Sequence, residues 1–195
     1  MGRPSNRDRR RRELAAAFEN VLAHHGLGGA TMAAVAEEAG CAPGLIHHHF
    51  EDREDLVTEL LKTLIGRFRS QLSPQDEPDV FLSTYVDAAL SLRPTAGKIA
   101  ARAWVGVLAE AIHSKRVARL LRSILTTELE RLQRQFVRSG SSRLDAERKA
   151  AGMVASILGC LVFGAVMPGK AVGFAAPFVR SAFQMSAPDH EPRRK

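Results

Sequence analysis

The run His47-His48-His49 is the densest group of metal-binding side chains in the chain, and neutral imidazoles are common ligands for zinc, copper and iron. Geometry argues against a shared ion. On a helix, successive side chains turn by about 100°, so three neighbouring rings point in three directions, whereas a helical ligand pair needs i and i+4 spacing. Cys41 and Cys160 are the only cysteines, too few and too far apart for a cysteine-based zinc site or a disulfide framework. A carboxylate-bridged di-iron bundle requires a Glu-x-x-His motif from each of two helices, and the chain does not supply that pair. The chemistry expected is therefore not catalysis: no enzyme, no cofactor and no metal.

What positions these residues is helix. The 195 residues are enough for one large or two small domains with a real core. Apolar residues make up 45% and charged residues 25%, ordinary globular values, and Leu, Ala, Arg and Glu outweigh the β-branched types. The start is polar and basic, and no uninterrupted apolar run reaches membrane-span length, so a cytoplasmic protein with no membrane partner is expected. Leu14, Phe18, Val21 and Leu22 share one face of a first helix over about 7–25, ended by Gly26. Thr31 caps a short helix that closes at Gly40, and Pro43 opens a second short helix through His49. Asp52 and Asp55 begin a long helix with Leu56, Leu60, Leu61, Leu64 and Phe68 on its stripe. The segment SPQDEP, 73–78, breaks the chain, and helices follow at about 78–92, 96–112, 115–139, 144–166 and 174–184.

Helix, capped short helix, three-residue turn, short helix, long helix is the layout of a helix-turn-helix DNA-binding domain. The stretch TMAAVAEEAGCAPGLIHHHF, 31–50, followed by EDREDLV, resembles the signature of TetR-type repressors. Thr31, Val35, Ala36, Ala39, Gly40, Gly44, Ile46, His48 and Phe50 match that signature position for position, and the match covers about residues 7–72. The stretch AWVGVLAEAIHSKRVARLL is similar to the subgroup related to choline-sensing repressors. Small Ala36, Ala39 and Gly40 let the short helices cross closely, and Val35, Ile46 and Phe50 form the core that fixes their angle. Thr31 is a cap and, at a helix N-terminus, a phosphate contact. The resemblance implies that Ala42, Pro43, Gly44 and Leu45 face the major groove, that His47 and His48 reach phosphates, and that Arg53 is a further phosphate contact. His49 is left for the interior. Ala42 stands where the family usually has Ser, so the third helix lacks a side-chain cap, and Pro43 and Leu45 offer only apolar contact of the kind that suits thymine methyls.

Net charge is +7, but it is unevenly placed. Residues 1–12 hold six arginines against one acid, a net of +5; residues 13–59 hold Arg53 against nine acids, a net of −8; the remainder carries 21 basic and 11 acidic side chains, a net of +10. Since carboxylates near phosphates oppose binding, most of the nine acids must face away from DNA, and the arm supplies much of the attraction. Its place ahead of the first helix suits minor-groove insertion of Arg3.

The domains expected are a flexible basic arm (1–12), a helix-turn-helix domain (13–52), a connecting helix (53–72), a ligand-binding and dimerisation domain (73–186) and a mobile tail (187–195). The fold class is all-α: an N-terminal three-helix DNA-binding domain plus a C-terminal helical ligand-binding and dimerisation domain. A pocket is sought around Phe81, Tyr85, Trp104, Leu108, His113 and Phe163, with Asp87, Arg102 or Glu110 as further polar anchors. A homodimer interface is assigned to Leu121, Leu125, Leu132, Met153, Ile157 and Leu161, with Gly152 and Gly164 allowing close approach. The function expected is a ligand-responsive regulator that binds a double-stranded DNA operator and is released from it by a small-molecule effector. The alternative is a helical small-molecule or lipid carrier with a degenerate DNA-binding domain.

Overall fold

The computed structural model describes residues 6–90, 96–167 and 173–185, and among them the regular structure is entirely helical. The helices are α1 (Asn6–Gly29), α2 (Met32–Glu38), α3 (Pro43–His49), α4 (Arg53–Arg69), α5 (Pro78–Leu90), α6 (Ala96–His113), α7 (Lys115–Arg138), α8 (Arg143–Val166) and α9 (Ala175–Ala182). They form two compact units. Unit 1 comprises Met1–Arg67 and Leu92–Ile124, and unit 2 comprises Phe68–Ser91 and Leu125–Lys195. Compactness and sequence order thus divide the chain differently: SPQDEP is indeed the loop before α5, but α6 and the first half of α7 belong with the N-terminal helices.

The reason lies on α1. Its apolar stripe buries Leu14, Phe18, Val21 and Leu22, and α1 makes its most extensive packing with α6. Gly106 of α6 makes the approach close: a Cβ there would meet Leu22 Cδ1 and Cδ2 at 2.8 Å. Any larger residue would have to push the two helices apart. Gly26 interrupts α1 with φ of +66°, a left-handed conformation that suits glycine, so the first long helix breaks where the sequence predicts and one more turn follows to Gly29.

At its start α1 departs from expectation. Residues 6–12 are not a flexible arm but the first turns of the helix. Arginine is a good helix former, Asp8 in the first turn complements the helix dipole, and Glu13 pairs with Arg9 at 3.7 Å and Arg10 at 2.9 Å. Residues 1–5, and with them Arg3, lie outside the described residues, as do 187–195.

In unit 2, α5, α8 and α9 pack together. Phe81, Leu82, Tyr85 and Val86 of α5 and Met153, Ile157 and Leu161 of α8 are buried, with Val179 of α9. Phe68 meets Tyr85 edge to face at 4.8 Å, and Phe81 lies 6.2 Å from Tyr85. One buried carboxylate sits in this unit: Glu128, 3% exposed, bound by Arg69 at 2.6 Å with Arg131 at 4.0 Å. The Tyr85 hydroxyl bonds to it, and burial, followed by that negative charge, pushes the phenol well above its ordinary range.

Candidate nucleic-acid interface

The turn between α2 and α3 is built as the motif demands. Thr31 Oγ1 accepts the Ala34 N–H at 3.2 Å, capping α2. At the other end Gly40 takes φ of +60°, its N–H bonds Glu37 O at 3.0 Å and Cys41 N–H bonds Ala36 O at 2.9 Å, the paired closure of a Schellman motif. α3 then starts on Pro43, with no side-chain cap from Ala42. Val35, Ala36, Ile46 and Phe50 are fully buried and set the crossing of the two helices.

Thr31, Ala42, Pro43, Gly44, His47 and His48 are exposed and Leu45 is half-buried. Their side chains lie at the free end of α2 and on the outer side of α3. The histidine run divides: His47 and His48 point to solvent, while His49 is half-buried, edge to face with His48 at 5.1 Å. Burial first, then the positive field of His48, Arg7, Arg10 and Arg11, holds the His49 imidazole below its ordinary pKa. The folded chain therefore binds fewer protons at His49 than the unfolded chain just below pH 6.5, and the stability this contributes is lost as pH falls through that range. The urea midpoint of the parent is expected to fall between pH 7 and pH 5.5 by more than that of His49→Gln; equal falls would mean that this ring is not the sensitive group.

The acids of residues 13–59 find partners inside unit 1. Glu13 binds Arg9 and Arg10, the buried Glu19 binds Arg67 at 2.6 and 2.8 Å, Asp55 and Glu59 bind Arg11, and Asp52 and Glu54 bind Arg116 of α7. That is six of the nine in ion pairs, and Glu38 accepts from the Asn20 amide at 3.0 Å. Asp52 also accepts the Asp55 N–H at 2.8 Å, capping α4, while the Asp55 carboxylate turns to Arg11 rather than completing a reciprocal box. Two of the basic groups are consequently committed. Arg11 is inward, its guanidinium bonded to Asp55, Glu59 and the His49 carbonyl and lying 4.2 Å over the Phe50 ring. Arg53 pairs with Glu110 of α6 at 3.2 Å. A single Glu-x-x-His spacing does occur in α6, but Glu110 is taken by Arg53 and His113 is exposed.

The pocket residues are not brought together within either unit. Phe81 and Tyr85 are core residues of unit 2, where Phe163 is exposed on α8; Trp104 and Leu108 are half-buried and His113 exposed in unit 1. The polar anchors are engaged elsewhere: Asp87 with Arg180, and Arg102 with the Ala23 carbonyl at 3.1 Å. The assigned dimer contacts need correction too. Leu121, Leu132, Met153, Ile157 and Leu161 are buried inside the subunit and Leu125 is half-buried, so they form its own core. Gly152 faces Phe183, and Gly164 is buried. The large apolar groups left on the surface are others: Val80, Ile112 and Val137 on other helices, and a larger set, Leu144, Val162, Phe163, Val166 and Met167 along α8 and its end with Phe174 and Phe178 at α9. Periodicity alone found the apolar stripe of each helix but could not say that the fold covers it. By length and composition α8 also passes as a membrane span although Gly152, Ser156, Gly159 and Gly164 break its apolar run; core helices pass the same test.

Residues 14–60 match the family model described as bacterial regulatory proteins, tetR family, and residues 78–177 match BetI-type transcriptional repressor, C-terminal. The chain belongs to the TetR family, BetI type. The HTH-type transcriptional regulator BetI of Rhizobium meliloti is 30% identical over 156 residues, 78% of this chain and 76% of that one, and its namesake in Stenotrophomonas maltophilia is 28% identical over 83% and 84%. A transcriptional regulator from Rhodococcus sp. Rha1 has the same fold, with a TM-score of 0.75 at 23% identity over 88% of this chain and 96% of that one. So does a regulator from Saccharomonospora viridis solved in complex with choline, with a TM-score of 0.69 at 21% identity over 90% and 94%. As a member of the BetI-type TetR family, the chain is a ligand-responsive, DNA-binding transcriptional regulator, and its helix-turn-helix is the surface just described.

Proposed function

We propose that this regulator acts in the cytoplasm as a homodimeric repressor, holding a pseudo-palindromic operator until a small cation of the choline class releases it. The observation that carries the dimer is the exposed apolar strip of α8 and α9. Seven large apolar side chains there are at least 39% exposed, a concentration that marks an interaction surface. Gly159, on the same helix, is exposed with nothing within 4 Å of an added Cβ, which leaves room for a second helix. A two-fold axis through this strip makes the contact self-complementary and presents two copies of α3. In each copy Thr31, Ala42, Pro43, Gly44, Leu45, His47 and His48 contact the operator, with Arg53 joining them when it leaves Glu110. The choline class is favoured by the BetI-type match and the choline-bound neighbour.

Sedimentation and footprinting test the reading together. Half-site centres are expected about 34–36 Å apart or at a multiple of that spacing. Phe163→Asp with Val166→Asp should turn the dimer into a monomer and lower operator affinity at least a hundredfold. A double variant that stays dimeric moves the interface elsewhere. Choline should loosen the operator complex; equal choline affinity with and without operator would remove it as the effector, because coupling is reciprocal.

A further inference from the structure

Beside α3 lies a cleft of about 410 Å³, lined by Asn6, Arg7, Arg9, Arg10 and Glu13 of α1 and by the rings of His48 and His49. We propose that Arg7 and Arg10 of α1 and His48 of α3 form one phosphate-binding site in this cleft.

Three guanidinium groups face one carboxylate there. Glu13 is shared between Arg9 and Arg10, and Arg7 has no carboxylate partner among the described residues. The cleft therefore carries a net positive charge that favours an anion, and one with several acceptor oxygens can engage guanidinium forks and an imidazole N–H together. α3 ends there, which should repel an anion, but Arg11 donates to the His49 carbonyl and offsets part of that effect. His49 Nδ1, buried without a hydrogen-bond partner, is a further group awaiting one. Arg11 also fixes the walls: by gripping Asp55, Glu59 and Phe50 it holds the first turns of α1 against α3 and α4. His48 is exposed on the same helix as Pro43 and Gly44, so a phosphate in the cleft sits at the C-terminal end of α3, about one turn along from the residues expected to face the bases. The chemistry fits either an operator phosphodiester or free phosphate.

The site rests on α3 as the DNA-facing helix, so operator binding by the parent protein is measured first and separately. Salt titrations of the full-length chain then compare the parent with Arg7→Gln/Arg10→Gln, Arg7→Lys/Arg10→Lys and Arg12→Gln; Arg12 is exposed and does not line the cleft. Each lost phosphate contact lowers the slope of log K against log salt by about 0.9. The Gln pair is expected to lower it by about two and to weaken binding tenfold or more, the Lys pair to keep most of it, and Arg12→Gln to change it by less than half as much. In parallel, the His48 imidazole resonances are followed during titration with inorganic phosphate. A loss of slope specific to the Gln pair supports the site and assigns it to the operator backbone. An unchanged slope with millimolar phosphate shifting His48 in the parent, but not in the Gln pair, supports the site and assigns it to a free anion. If Arg12→Gln matches the Gln pair, or neither readout moves, the cleft is no phosphate site.

Discussion

Replacing Arg11 with methionine is expected to destabilise the chain by about 2–3 kcal/mol in urea unfolding, with the transition slope unchanged. Methionine keeps most of the methylene packing over Phe50, so the loss reports the charge. The guanidinium is 17% exposed and lies between Asp55 and Glu59, themselves 28% and 17% exposed, and it also satisfies the His49 carbonyl. Without it two carboxylates stand side by side, with Lys62 at 3.9 Å from Glu59 as the remaining cation. Breaking a fully buried pair from one side costs about 3–5 kcal/mol; partial solvent access places this cluster somewhat below that. Arg12→Met, one position on and exposed, should stay within about 0.5 kcal/mol. A loss below that figure for Arg11→Met would make the cluster an ordinary surface ion pair.

Arg11 also shows where the sequence stops being informative. The helix-turn-helix is written in local terms, Thr31 as a cap, Gly40 at positive φ, Pro43 as a helix start, small residues where helices cross, and these appear in the fold as expected. The apolar stripes of α1 and α4 were equally legible, because periodicity is a local property. Partner choice is not local. The arginines of residues 7–12 look alike in sequence, yet Arg11 turns inward to residues 38 to 48 positions away while Arg7 and Arg10 line a cleft. The dimer assignment failed for the same reason. Leu132, Met153 and Ile157 are apolar at helical spacing, and so are Val162, Phe163 and Val166; only the packing of unit 2 decides which set is covered.

Within unit 2 the largest effect is expected at Arg69. Glu128 is 3% exposed and Arg69 34%, so the pair is lopsided: the base can turn to water, and the acid cannot. Arg69→Met should therefore cost about 3 kcal/mol, because it leaves a buried carboxylate facing Arg131 at 4.0 Å and the Tyr85 hydroxyl alone. Glu128→Gln should cost less, since it leaves no buried charge. Adding Glu128→Gln to Arg69→Met should recover more than half of the loss, a coupling that a double-mutant cycle in urea measures directly. Additive losses would show that the two side chains act independently and that Arg69 contributes packing alone.

The pairing of α1 with α6 has a consequence for how the protein is made. The helix-turn-helix is complete in sequence at the end of α4, but the face of α1 that carries Leu22 is covered by a helix that begins at Ala96. A ribosome adding roughly 5–20 residues per second needs several seconds to deliver that helix, and longer to clear it from the exit tunnel. During this interval the nascent DNA-binding region shows an apolar stripe to solvent. Its maturation is thus tied to translation of the downstream region, and a ribosome that stalls between α4 and α6 leaves a fragment that has its recognition helix but not the surface that closes its core.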